Sequence, residues 1–138
     1  MPREEIDLTP YENRNNSYSF NEDELIIMGI PVYGGRVPIT AENRIELLKG
    51  NNTPIVLVVT YGGIHYSNVL HELQQIVIPD GFITIAAAAV IAEHNFYSKI
   101  ASGRPNAQDL SAISSFANHV YSKASQSNSF ENMVIMSF

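Results

Sequence analysis

The 138-residue sequence contains no cysteine. This absence excludes disulfide bonds, thiolate nucleophiles, iron–sulfur clusters and cysteine-ligated zinc, and it fits a reducing compartment. Basic residues are also scarce, because eight lysines and arginines stand against fourteen acids and the net charge is −6. Such a surface repels phosphate backbones and anionic membranes. We therefore expect neither a nucleic-acid partner nor a membrane partner.

Long apolar runs and a secretory signal are missing as well. No stretch reaches the ~18 apolar residues of a membrane span. The first five residues contain two acids where a signal peptide has a basic and then an apolar region. Hydrophobic residues nevertheless make up 45% of the chain, which suffices for a packed core. We predict a cytoplasmic protein with a single domain over residues 1–138.

Apolar runs rich in β-branched residues predict strands that are covered on both faces. These runs are residues 25–30, 55–61 and 82–91. Apolar residues at helical spacing predict helices after each of them. The predicted helices are residues 40–49, 67–79, with a cap at Ser67, and 107–124. This core covers residues 25–124. Ile6 and Leu8 predict a short strand within residues 1–24, and the tail 125–138 ends in a possible added strand.

Strands that alternate with helices are typical of an α/β fold, in which helices cover both faces of a parallel sheet. Ligands of such sheets bind beyond the carboxyl ends of the strands. This rule selects three loops, which are residues 31–38, 60–67 and 92–105. The sequence therefore predicts that a functional site lies where these loops meet.

The three loops contain many aromatic residues and glycines. The candidate binding residues are Pro31, Val32, Tyr33, Gly34, Gly35 and Arg36 in the first loop and Tyr61, Gly62, Gly63 and Tyr66 in the second. The third loop contributes Glu93, His94, Asn95, Phe96 and Tyr97. Aromatic faces and backbone N–H groups suit a planar heteroaromatic ligand better than a hydrolytic substrate, because no nucleophile and base accompany them. Ordinary packing and turn roles are the alternative for these residues, and for the adjacent Glu93 and His94 they are favoured.

Several of these segments resemble the flavodoxin-like domain of bacterial flavodoxin–ferredoxin fusion proteins. The similarity lies in residues 28–38, 61–62, 86–96 and 103–105, and it extends over about residues 6–124. The resemblance implies a flavodoxin-like three-layer fold that binds FMN, with residues 32–36 and 61–66 around the isoalloxazine ring. It also implies one- or two-electron transfer, as a carrier or a flavin reductase, with a redox partner such as a ferredoxin. The cysteine-dependent ferredoxin half is not expected in this chain.

The resemblance also implies an N-terminal truncation. Residues 6–9 resemble the end of the family's second strand, so its first strand and phosphate-binding loop have no counterpart. That strand is central in the flavodoxin-like order 2-1-3-4-5, and its loss would expose an apolar edge at residues 25–30. Exposed edges pair with other chains, which predicts a homodimer.

The missing phosphate loop leaves two functions open. One is electron transfer with weak FMN binding, in which Arg36 or Arg104 replaces the lost phosphate donors. The other is a non-catalytic remnant or assembly module that binds no flavin and completes its sheet by homodimerisation.

Overall fold

The computed structural model describes residues 3–127 and 130–138, without the side chain of Ser127. In chain order its strands are β1 (Arg3–Asp7), β2 (Tyr18–Ser19), β3 (Glu24–Pro31), β4 (Leu48–Lys49), β5 (Thr53–Tyr61), β6 (Phe82–Ile91) and β7 (Asn132–Ser137). Its helices are α1 (Ile39–Ile45), α2 (Val69–Val77) and α3 (Ala107–Ser127). None of the helices in the described ranges combines the length and hydropathy of a membrane-spanning helix.

A five-stranded sheet forms the centre of the fold, with the strand order β1-β7-β3-β5-β6. All of its neighbouring strands are parallel. Helices α1 and α2 cover one face over the larger hydrophobic cluster, and α3 covers part of the other face over a smaller cluster. The predicted α/β class with a parallel sheet between helical layers is therefore confirmed.

Strand β5 shows why its sequence is a continuous apolar run. Its side chains alternate between the two faces, so that Ile55 and Leu57 join the cluster beneath α1 and α2, while Val56 joins the cluster beneath α3. These three residues are at most 1% exposed. Both faces of the sheet are covered at residues 55–59, and this is why the apolar run there is uninterrupted. The buried Thr53 at the start of β5 is accommodated because its hydroxyl donates to the backbone oxygen of Phe20.

The end of α1 and the start of α2 differ from the sequence-based expectation. Helix α1 ends at Ile45, because the fully buried Leu48 belongs to β4, which pairs with β2. The apolar spacing that predicted a longer helix thus included a residue of a strand. The predicted cap at Ser67 is also wrong, since α2 begins at Val69 and Ser67 has a positive φ of 49°.

The exposed edge predicted at residues 25–30 is absent, because β7 lies between β1 and β3. Val134 and Met136 of β7 are fully buried in the larger cluster. The possible added strand in the tail is therefore real, and it is an interior strand of the sheet. The argument for a homodimer that fills an open edge at β3 was wrong, because the chain fills that place itself.

Candidate functional site

The loops that follow β3, β5 and β6 enclose one cleft of about 590 Å³ at the carboxyl ends of these strands. This volume lies within the range of small-molecule sites, roughly 300–1,000 Å³. The lining residues are Pro31, Val32, Tyr33, Gly34, Thr60, Tyr61, Gly62, Ala92, Glu93, His94, Asn95 and Phe96. The prediction that the three loops meet along one edge of the sheet is confirmed, and Tyr33 and Tyr61 line the same cleft.

The other predicted residues surround this cleft without lining it. Gly35 lines an adjoining recess of about 330 Å³, together with Ile64 and His65. Tyr66 supports a cleft wall, since its ring packs edge-on against Tyr61 with the ring centroids 5.0 Å apart. Gly63 packs against the third loop at Ala101, and Arg36 joins the first loop to α2 through Glu72.

Two adjacent glycines allow the second loop to pack closely against the third. A Cβ atom on Gly62 would lie 2.8 Å from Cδ2 of His94. At Gly63, where φ is +84°, it would lie 2.6 Å from the Cβ of Ala101. Both distances are too short for non-bonded carbon atoms, so any side chain at either position would push the loops apart. Gly62 therefore sets the width of the cleft beside His94, and Gly63 allows the second loop to approach Ala101.

Aromatic side chains at the mouth of the cleft are open to solvent. Tyr33 is 60% exposed and Phe96 is 87% exposed. Aromatic side chains with this exposure contribute little to the packing of the core. Grouped beside a cleft, they provide flat surfaces for a ligand or a partner. The backbone N–H of Gly62, a residue of the cleft lining, has no hydrogen-bond partner within the part of the chain that the structure describes. The cleft thus offers aromatic faces, and Gly62 is a candidate backbone donor.

Arg36 connects the first loop to helix α2 through an ion pair with Glu72. Its Nε lies 3.0 Å from both carboxylate oxygens of Glu72, and its Nη2 lies 2.9 Å from Oε1. The hydrogen bonds from Arg36 lower the pKa of Glu72, although burial opposes this. The carboxylate remains ionised at neutral pH and keeps the guanidinium beside it.

Arg104 is similarly engaged at the N-terminus of α3. Its guanidinium donates to the carboxylate of Asp109 and lowers the pKa of that carboxyl. The same carboxylate accepts a hydrogen bond from the backbone N–H of Asn106 at 2.8 Å, and Asn106 Oδ1 accepts from the N–H of Asp109 at 2.9 Å. This reciprocal arrangement caps the helix, so an anionic ligand would have to compete with Asp109 there.

The site therefore fits the two parts of FMN unequally. The aromatic walls and the N–H of Gly62 fit a planar heteroaromatic ring. The two arginines expected to bind a phosphate are each paired with a carboxylate. Within the described ranges, no group of three histidine or acidic residues is arranged as metal ligands.

Of the third-loop residues named from the sequence, His94 above all was not favoured as a binding residue. Adjacent residues of a regular strand point to opposite faces, which favoured structural roles for Glu93 and His94. Strand β6, however, ends at Ile91, so both residues belong to the loop that follows it, and His94 lines the main cleft and the adjoining recess. The available signal was the position of His94 directly beyond a carboxyl strand end.

Fold and cleft together define an α/β protein with a candidate ligand cleft at the carboxyl ends of a parallel sheet. Comparison of the chain with protein-family models, with curated proteins and with solved structures finds no match. The function is therefore inferred from the cleft and its residues.

Proposed function

We propose that this chain is a flavodoxin-like protein that binds the isoalloxazine ring of a flavin and acts in electron transfer. The observation that supports the proposal is the single cleft in which Tyr33 and Tyr61 lie at the carboxyl ends of neighbouring parallel strands. A bound flavin supplies one- or two-electron transfer, and a ferredoxin is a suitable class of partner.

The strand order supports the flavodoxin-like part of the proposal. The order β1-β7-β3-β5-β6 is equivalent to the flavodoxin-like order 2-1-3-4-5 when β7 is counted as the first strand. On this view the chain does not lack the central strand that the resemblance expects. A strand from the far end of the sequence takes its place, and the ligand cleft lies beside β3, β5 and β6.

The residues of the cleft have distinct roles in this proposal. Tyr33 provides a face for stacking on the ring, and Tyr61, supported by Tyr66, forms a second wall. The N–H of Gly62 is available to a carbonyl oxygen of the ring. The exposed Phe96 lies at the mouth, where it reduces the access of water and offers an apolar surface to a redox partner.

We expect riboflavin and FMN to bind with dissociation constants within about threefold of each other. A phosphate cradle would favour FMN strongly, because each charge-assisted hydrogen bond contributes about 1.5–3 kcal/mol and 1.4 kcal/mol is tenfold in affinity. Here Arg36 and Arg104 are already paired with carboxylates. Quenching of flavin fluorescence on titration with the protein measures both constants. Binding of FMN more than tenfold tighter than riboflavin would show that a phosphate site exists.

Replacing Tyr33 by alanine should weaken riboflavin binding about tenfold, because stacking on an aromatic side chain contributes about 1–3 kcal/mol. The fold should be unaffected, since Tyr33 is 60% exposed. Tyr121→Ala, at a similarly exposed position on α3, is the matched control and should bind like the wild type. Equal affinity of Tyr33→Ala and wild type would remove Tyr33 from the site, and no quenching by the wild type would reject the flavin proposal.

The alternative function, an assembly module without flavin, was motivated by the missing phosphate loop. Its self-association depended on an open edge at β3, and β7 occupies that position. Homodimerisation stays a prediction without support from that edge. The aromatic cleft has no role in the alternative, and for this reason flavin binding is the preferred function.

A further inference from the structure

The imidazole of His94 is held in the wall of the cleft by its own loop. Its Nδ1 atom lies 3.1 Å from the backbone nitrogen of Phe96 and 3.2 Å from that of Tyr97. Both backbone groups are N–H donors, so Nδ1 has to be the acceptor and carries no proton. A neutral imidazole whose Nδ1 is unprotonated carries its proton on Nε2. The loop thus selects one of the two tautomers.

The rest of the ring is fixed by the second loop. Gly62 leaves space for His94, since a Cβ atom at that position would lie 2.8 Å from Cδ2. The ring of Tyr97 packs near the imidazole with the centroids 5.2 Å apart. Nε2 has no hydrogen-bond partner within residues 3–127 and 130–138, although the side chain lines the cleft. A rigid donor is therefore present in the cleft wall, and no group of the described residues receives its hydrogen bond.

We propose that His94 is a specificity-determining residue of this cleft, and that its Nε2–H donates a hydrogen bond to an acceptor atom on the edge of the flavin ring. The inference rests on the proposed function and adds the chemistry of recognition to it. The isoalloxazine edge presents carbonyl oxygens and unprotonated nitrogens, all of which accept hydrogen bonds. A ring whose edge presents only C–H groups would leave this donor unpaired, and such a ligand is disfavoured.

The tautomer can be measured on the protein without any flavin. Long-range ¹H–¹⁵N correlation spectra of ¹⁵N-labelled protein at neutral pH distinguish a protonated Nε2 from a protonated Nδ1. We expect His94 to show the Nε2–H form. Observation of the Nδ1–H form would overturn the inference and would leave the proposed function intact.

A pair of substitutions separates the donor role from the loop-supporting role. In His94→Asn the amide oxygen takes the place of Nδ1, and asparagine commonly accepts hydrogen bonds from backbone N–H groups two and three residues onward. The variant keeps this support, and its amide NH₂ group takes the place of Cδ2, so no donor remains at the position of Nε2. His71→Asn, which removes an exposed imidazole from α2 outside the lining of the cleft and the recess, is the matched control.

We expect His94→Asn to bind riboflavin about fivefold to tenfold more weakly than wild type, and His71→Asn to bind like wild type. The amide chemical shifts of Phe96 and Tyr97 in ligand-free His94→Asn should stay near those of wild type, which shows that the loop is intact. Unchanged affinity in His94→Asn with an intact loop would overturn the donor role while the flavin proposal stands. Absence of binding by the wild type would overturn both.

Discussion

Replacing Val134 by aspartate should abolish the folded state. Val134 is fully buried and lies in β7, opposite Glu4 of β1 and Ile26 of β3. An ionised carboxylate without a partner at this position costs more than about 4 kcal/mol, which approaches the whole free energy of unfolding of a typical domain, about 5–15 kcal/mol. Circular dichroism in increasing urea should show the loss of the cooperative transition or a strongly lowered midpoint.

The control for this prediction lies in the same strand. Ser137 of β7 is exposed, so Ser137→Asp introduces the same charge without burying it. Its cross-strand neighbour is Asp7, and repulsion between them should cost less than about 1 kcal/mol. If Val134→Asp and Ser137→Asp unfolded at the same urea concentration, β7 would not be an interior strand of the sheet in solution.

The contrast between β5 and β7 shows how far the fold is predictable from sequence. The run at residues 55–61 predicts a doubly buried strand on its own, because its composition reflects burial on both faces. The segment at the end of the chain is compatible with a short added strand, and it does not specify the neighbours of that strand. Its partners, β1 and β3, are set by the crossover through α3, and nothing in a local pattern specifies where a parallel crossover returns.

The site shows a similar division. The positions of Tyr33 and Tyr61 were predictable, because both follow the carboxyl ends of recognisable parallel strands. The ion pair of Arg36 was not predictable, because its partner Glu72 lies on another element, 36 residues further along the chain. Pairings of this kind depend on how helices and loops pack, which the spacing of residues does not encode. The loss of the expected phosphate donors is therefore a consequence of tertiary structure.

The largest effect on flavin binding is expected from Gly62→Val. The φ of Gly62 is not in the positive range, so the conformation of the backbone does not require glycine there. The close approach of His94 requires glycine there, because a Cβ atom on Gly62 would lie 2.8 Å from Cδ2 of His94 and 3.2 Å from Cα of His94. A branched side chain must displace the imidazole together with its backbone and fill part of the cleft. The lost donor and the narrower cleft together should weaken riboflavin binding at least about 30-fold, equivalent to about 2 kcal/mol.

Gly103→Val separates this steric effect from general destabilisation. Gly103 has a φ of +72°, and a Cβ atom there would meet nothing within 4 Å. Valine at that position strains the backbone and lowers the free energy of unfolding by about 1–3 kcal/mol, yet it does not displace His94. We therefore expect Gly103→Val to lose stability while its riboflavin affinity stays nearly unchanged. In Gly62→Val the loss of riboflavin affinity should be the larger of the two effects. Equal losses of affinity in the two variants would indicate that the flavin responds only to the stability of the loops, and that contact between Gly62 and His94 does not shape the cleft.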